Sequence, residues 1–206
     1  MTDRSVEGAV LAIGAVLFLV GAGNPVLARA WVSPREAYLK IVAGHPTAWR
    51  VSHILFIVGT VLTAAGMAEL PAAAGIHSVG ARALVSVAGT VVAIGALLWI
   101  VALVGRLAVT SVVASAFVAG TGEATPVPSE RWMSELFAAF LLLAGLGLVA
   151  LGLGFIVAPV LPILGWVCVA FGVIIAGGYL AFGDVPPFVV YLPTGLIGLA
   201  LILGWT

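Results

Sequence analysis

From Leu136 to Gly183 the chain runs 48 residues without a charged side chain. As one straight helix that stretch would reach ~72 Å at ~1.5 Å per residue, more than twice a ~30 Å bilayer core. It must therefore cross lipid, turn and cross back, and Pro159 and Pro162 mark where it can turn. Charged residues make up 8% of the 206 and hydrophobic residues 63%. Ordinary soluble domains carry ~25% charge, so no soluble domain of useful size fits. The fold class is all-α: one domain, a polytopic transmembrane helical bundle whose solvent is lipid.

Net charge is zero and no basic run exists, which argues against nucleic acid as a partner. The lone Cys168 lies inside an uncharged span and reads as a buried thiol. Residues Gly8 to Ala22 have the look of a signal-peptide core, with Ala28-Arg29-Ala30 as a cleavage site. Against that, Asp3 and Glu7 outnumber Arg4, and the apolar stretch has the length of a full span. We expect it to be retained.

Six spans are predicted, at about 8–26, 50–70, 83–105, 132–158, 161–182 and 186–205. The first should end at Asn24-Pro25, a turn-forming pair, and the second just before Pro71. Pro186-Pro187 should open the sixth, since proline suits a helix's first turn. The third is ambiguous, because apolar residues continue past Arg106 through Val118. Either 83–105 crosses and the remainder bends along the surface or projects, or 95–118 crosses with Arg106 at mid-bilayer. A central arginine costs at least ~2.5–3.5 kcal/mol, so the first register is preferred.

Between the first two spans, Ser33-Pro34-Arg35-Glu36 has the pattern of a capping box. It predicts a short interfacial helix over about 34–43, ending at Gly44 with His45-Pro46 beyond it. Such a helix could lie in the membrane interface or pack on the bundle. The loop from Ala119 to Ser129 reads as extended and mobile. Arg29, Arg35, Lys40, Arg50, Arg106 and Arg131 then fall on one side, and Arg4 and Arg82 on the other with both termini. The positive-inside rule places the richer side in the cytoplasm and both termini outside the cell membrane.

Glycines recur at seven-residue spacing: Gly14/Gly21, Gly59/Gly66, Gly145/Gly152, Gly147/Gly154 and Gly165/Gly172. Seven residues is about two turns, so each pair marks a face on which helices in lipid can approach closely. One polar cluster stands out at the cation-rich side: His53 in span two, Arg106 ending span three, and Glu135 with Arg131 four residues before it. Charges at membrane depth tend to face inward and pair, so Arg106 and Glu135 are expected partners. His53 could join them as a proton acceptor. The alternative is plain neutralisation at the interface. Thr60, Thr63, Ser86, Thr90, Ser111 and Ser115 can bond carbonyls one turn back. No catalytic residue, metal site or cofactor is expected, since only His53 lies within a span and no ligand cluster is visible.

The stretch His45-Pro46-Thr47-Ala48-Trp49-Arg50-Val51-Ser52-His53, running into Gly59 and Gly66-Met67-Ala68-Glu69-Leu70, resembles small uncharacterised multi-pass integral membrane proteins of bacteria. The resemblance covers about the first 70 residues and implies an integral membrane protein without an assigned activity. Three functions stay open. The first is a non-catalytic accessory, assembly or scaffold component, in a homo-oligomer or a larger membrane complex. The second is a small oligomeric transporter or channel with a cytoplasm-facing polar pocket. The third is an intramembrane enzyme acting on a lipid or isoprenoid, with Glu135 or His53 as acid or base.

Overall fold

A computed structural model describes residues 3–205. Its α-helices are α1 (Asp3–Ala22), α2 (Pro25–Trp31), α3 (Arg35–Gly44), α4 (Pro46–Ala73), α5 (Val79–Gly105), α6 (Ser111–Val118), α7 (Pro128–Val157), α8 (Pro162–Phe182) and α9 (Phe188–Leu203). A π-helical segment, Arg106–Thr110, joins α5 to α6, so Val79–Val118 is one helix of 40 residues. Among the described residues five helices are long and apolar enough to cross a membrane: α1 from Arg4, α4, the α5–α6 helix, α7 and α8. Over 186–205 the helix is shorter than expected. The Val189 and Val190 amides bond the Pro186 and Pro187 carbonyls in a tight turn, and Gly204 ends α9 at φ +71°. The 16 residues of α9 span ~24 Å, somewhat less than a ~30 Å core.

The long helices form a closed up-and-down ring in the order α9, α1, α4, α5, α7, α8, and α8 meets α9 more lightly than the other neighbours meet. Glycine makes the contacts possible. Gly14 of α1 faces Gly59 and Thr63 of α4, and Gly8 faces Gly198 of α9. Gly145 and Gly152 of α7 face Gly172 and Gly165 of α8, while Gly147 and Gly154 face Val92 and Val85 of α5. A Cβ on Gly59 would sit 2.7 Å from the Gly14 carbonyl oxygen. Each seven-residue pair therefore lines a helix–helix seam. The close backbone approach that results is what drives association where water is absent. Rings fill the interior: Phe18 stacks on Tyr191 at 3.7 Å between centroids, and the Tyr191 and Thr60 hydroxyls share a 2.7 Å hydrogen bond.

At one end of the ring α2, α3 and α6 build a cap with its own apolar cluster of Leu27, Leu39, Val42, Trp49 and Ala114. The helix α3 thus packs on the bundle's extension, and α6 projects from α5 to meet it. Four local expectations need correction. Asn24-Pro25 ends α1 but also starts α2, because the Asn24 side chain accepts the Val26 N–H at 3.0 Å and proline takes the first turn. Ser33 does not cap α3. Its hydroxyl turns back to the Arg29 carbonyl at 2.6 Å, and Pro34 becomes the cap residue. Pro71 lies inside the last turn of α4. The carbonyl its ring leaves unpaired, that of Met67, faces Gly89 of α5. The loop before α7 is tied down, with the Ala124 carbonyl accepting the Arg35 Nε–H at 3.1 Å.

Candidate functional site

The residues singled out from the sequence separate into three places. His53 is 2% exposed, its ring 4.0 Å from that of Trp49. Its Nδ1–H donates to the Trp49 carbonyl at 2.9 Å, so it is packed among aromatic rings. Glu135 and Arg131 pair at 3.6 Å, with side chains 68% and 85% exposed. They lie on the outer face of α7 and do not reach Arg106. Of the four, Arg106 is the one that lines a cavity.

Its direction follows from helix geometry. Side chains lean toward a helix's N-terminus, and α5 begins at the opposite end of the ring. Arg106 therefore reaches back along α5 instead of outward to the cap. Its guanidinium carbon sits 5.4 Å from the ring centroids of both Trp99 and Phe137. Among the described residues no carboxylate lies within ion-pair distance of it. A cation–π contact contributes ~0.5–2 kcal/mol, against at least ~2.5–3.5 kcal/mol for an arginine at depth. Two such contacts together offset a cost of that order.

Arg106 floors a vestibule of about 690 Å³ inside the capped end of the ring. Its walls are Ala22, Trp31, Trp99, Phe137, Tyr179 and Phe188, with Asp184 exposed at the mouth. Trp99 is 2% exposed, and its buried indole N–H has no hydrogen-bond partner among the described residues. A second cleft of about 380 Å³, sharing Trp31, Arg106 and Ser134 with the first, opens under the cap beside Arg35, Tyr38, Thr110 and Glu130. There Arg35 and Glu130 form a 2.6 Å ion pair, and the same Glu130 oxygen accepts the Val127 N–H at 3.2 Å. Tyr38 lies under the Arg35 guanidinium, 5.5 Å from ring centroid to carbon. Burial raises the Tyr38 pKa above its ordinary value, although Arg106, a Thr110 hydrogen bond and Arg35 pull the other way.

Sequence reasoning missed Glu130, Trp99 and Asp184. For Glu130 a signal existed: Val127-Pro128-Ser129-Glu130 places proline at the first helical turn and glutamate at the third position, as at a capping box. For Trp99 no local signal exists, since it is an apolar residue in an apolar span. Among the described residues no group of three or more histidine, cysteine or acidic side chains is placed to hold a metal. No family model, curated protein or solved structure matches the chain.

Proposed function

We propose that this chain is a non-catalytic integral membrane protein that receives an amphiphile in its vestibule, as an accessory or carrier component of the membrane. The observation that carries this reading is Arg106, a cation facing an apolar-walled cavity without an acidic partner at bonding distance. Such cavities, mostly apolar with a few convergent polar groups, are the usual form of small-molecule sites. A transporter is the second reading. It is favoured by the π-helical turn at Arg106–Thr110, because π turns inside helices occur often at functional sites. An enzyme acting on a lipid or isoprenoid has less support, as His53 is not in the vestibule lining.

On the same footing, the protein belongs in a bacterial cell membrane with the capped end in the cytoplasm and both termini outside. Support comes from the six cations at that end against Arg4 and Arg82 at the other. An accessory role implies association with further copies or a larger complex. Purification in mild detergent followed by native mass spectrometry tests the main reading. The wild type should retain a bound amphiphile, and Arg106→Gln should reduce its occupancy at least tenfold. Equal occupancy in the two would remove the vestibule from consideration.

A further inference from the structure

We infer that the vestibule's occupant is a membrane lipid of the cap-side leaflet, with an anionic phosphate or carboxylate head on Arg106 and its chain laid along an apolar groove between α1, α8 and α9. This deepens the reading above and rests on it.

The floor of the vestibule lacks an acceptor. One donor there goes without one: the Arg106 guanidinium, which lies over the Trp99 ring and has no carboxylate within ion-pair distance among the described residues. The neighbouring charges are accounted for. Arg35 is neutralised by Glu130, and Asp184 stands exposed at the mouth, beyond ion-pair distance. The Ser134 hydroxyl is already given to the Glu130 carbonyl at 3.1 Å. An oxyanion would complete the guanidinium, and a phosphate or carboxylate is the group that arginine recognises best.

The lipid chain has a path continuous with the vestibule. A second cavity of about 370 Å³ is lined by Ala15, Leu19, Phe171, Leu192, Leu196 and Leu199, among others. The vestibule ends on the same three helices, at Ala22, Tyr179 and Phe188. The groove takes over three residues further along α1, eight along α8 and four along α9. It follows the lightly packed side of the ring, where α8 meets α9. From Phe188 to Leu199 the vestibule and the groove together run ~16 Å along α9, about half of a ~30 Å hydrocarbon core. That is the depth of one leaflet. A lipid with its head at the cap would fill it to the midplane.

The test uses delipidated full-length protein and three probes of matched chain length: a phosphatidic acid, a free fatty acid and a diacylglycerol. Native mass spectrometry should show one or both anionic probes bound at least tenfold more than diacylglycerol, and which one binds distinguishes a phosphate from a carboxylate head. Arg106→Gln should erase that preference and Arg106→Lys should keep most of it, with size-exclusion profiles confirming that both variants fold. A diazirine in the probe's chain should label Leu19, Phe171 or Leu192. Equal binding of all three probes, or labels scattered over the outer faces of α4 and α5, would overturn the inference and leave an unselective vestibule. No binding of any probe would overturn the proposed function as well.

Discussion

Under the cap, burial alters the chemistry of Tyr38. Because burial favours the neutral Tyr38 phenol, the unfolded chain ionises first as pH rises. The stability Tyr38 contributes is complete below about pH 10 and falls as pH climbs toward the folded-state value. Thermal unfolding in detergent between about pH 8 and pH 11 should therefore show the wild type losing stability relative to Tyr38→Phe. Parallel curves would discard Tyr38 as the source. Arg106 was legible in the sequence, as a lone charge within apolar helix, but its lack of an acidic partner was not. Glu130 and Glu135 lie five residues apart on α7, which at ~3.6 residues per turn turns them ~140° away from each other. Glu130 therefore meets Arg35 under the cap, while Glu135 faces outward with Arg131. Linear proximity to a membrane face carries no information about which side of a helix a residue occupies.

Among the elements, the glycine seams are the part that spacing alone foretold. Their test is steric. Gly59→Leu would drive a side chain into the Gly14 carbonyl and the Phe18 backbone, whereas Gly80 has open space around it. Overpacking typically costs ~1–3 kcal/mol, occasionally more, so Gly59→Leu should lower the unfolding midpoint well below that of Gly80→Leu. Equal midpoints would mean that the α1–α4 seam is not tight. Gly120 is a poorer comparison, because its φ of +73° strains any replacement. The element ends were less legible. Pro71 is read as a stop because proline interrupts helices, yet in the last turn of α4 the carbonyl it leaves free packs against Gly89. Likewise Thr63 has a buried hydroxyl with no partner among the described residues, where a bond one turn back was expected. Thr60, Thr90, Ser111 and Ser115 do make that bond.

For the whole molecule, the antiparallel ring brings Gly8 near the start of α1 beside Gly198 and Leu201 near the end of α9. Reporter tags fused to either end of the chain should accordingly mark one compartment, and a reporter inserted at Gly120 the other. Tags in different compartments would break the layout, and a cytoplasmic pair would reverse the proposed orientation while leaving it intact. The bundle class was readable from hydropathy alone, because lipid admits few solutions to backbone hydrogen bonding. Of the cap, the short helix over 34–43 was legible, but its assembly with α6 was not, since α3 and α6 meet through contacts distant in sequence.

The pairing of α1 with α9 also dictates an order of assembly. Helix α1 precedes both of its neighbours and meets α4 early, but its other flank waits until α9 has been synthesised. In the meantime Gly8 and Ala12 present bare backbone to lipid or to an insertion factor. Such long-range closure is slow relative to local hairpins, so the nascent protein should spend most of its biogenesis as an unclosed arc, and that arc is the form any membrane chaperone would encounter.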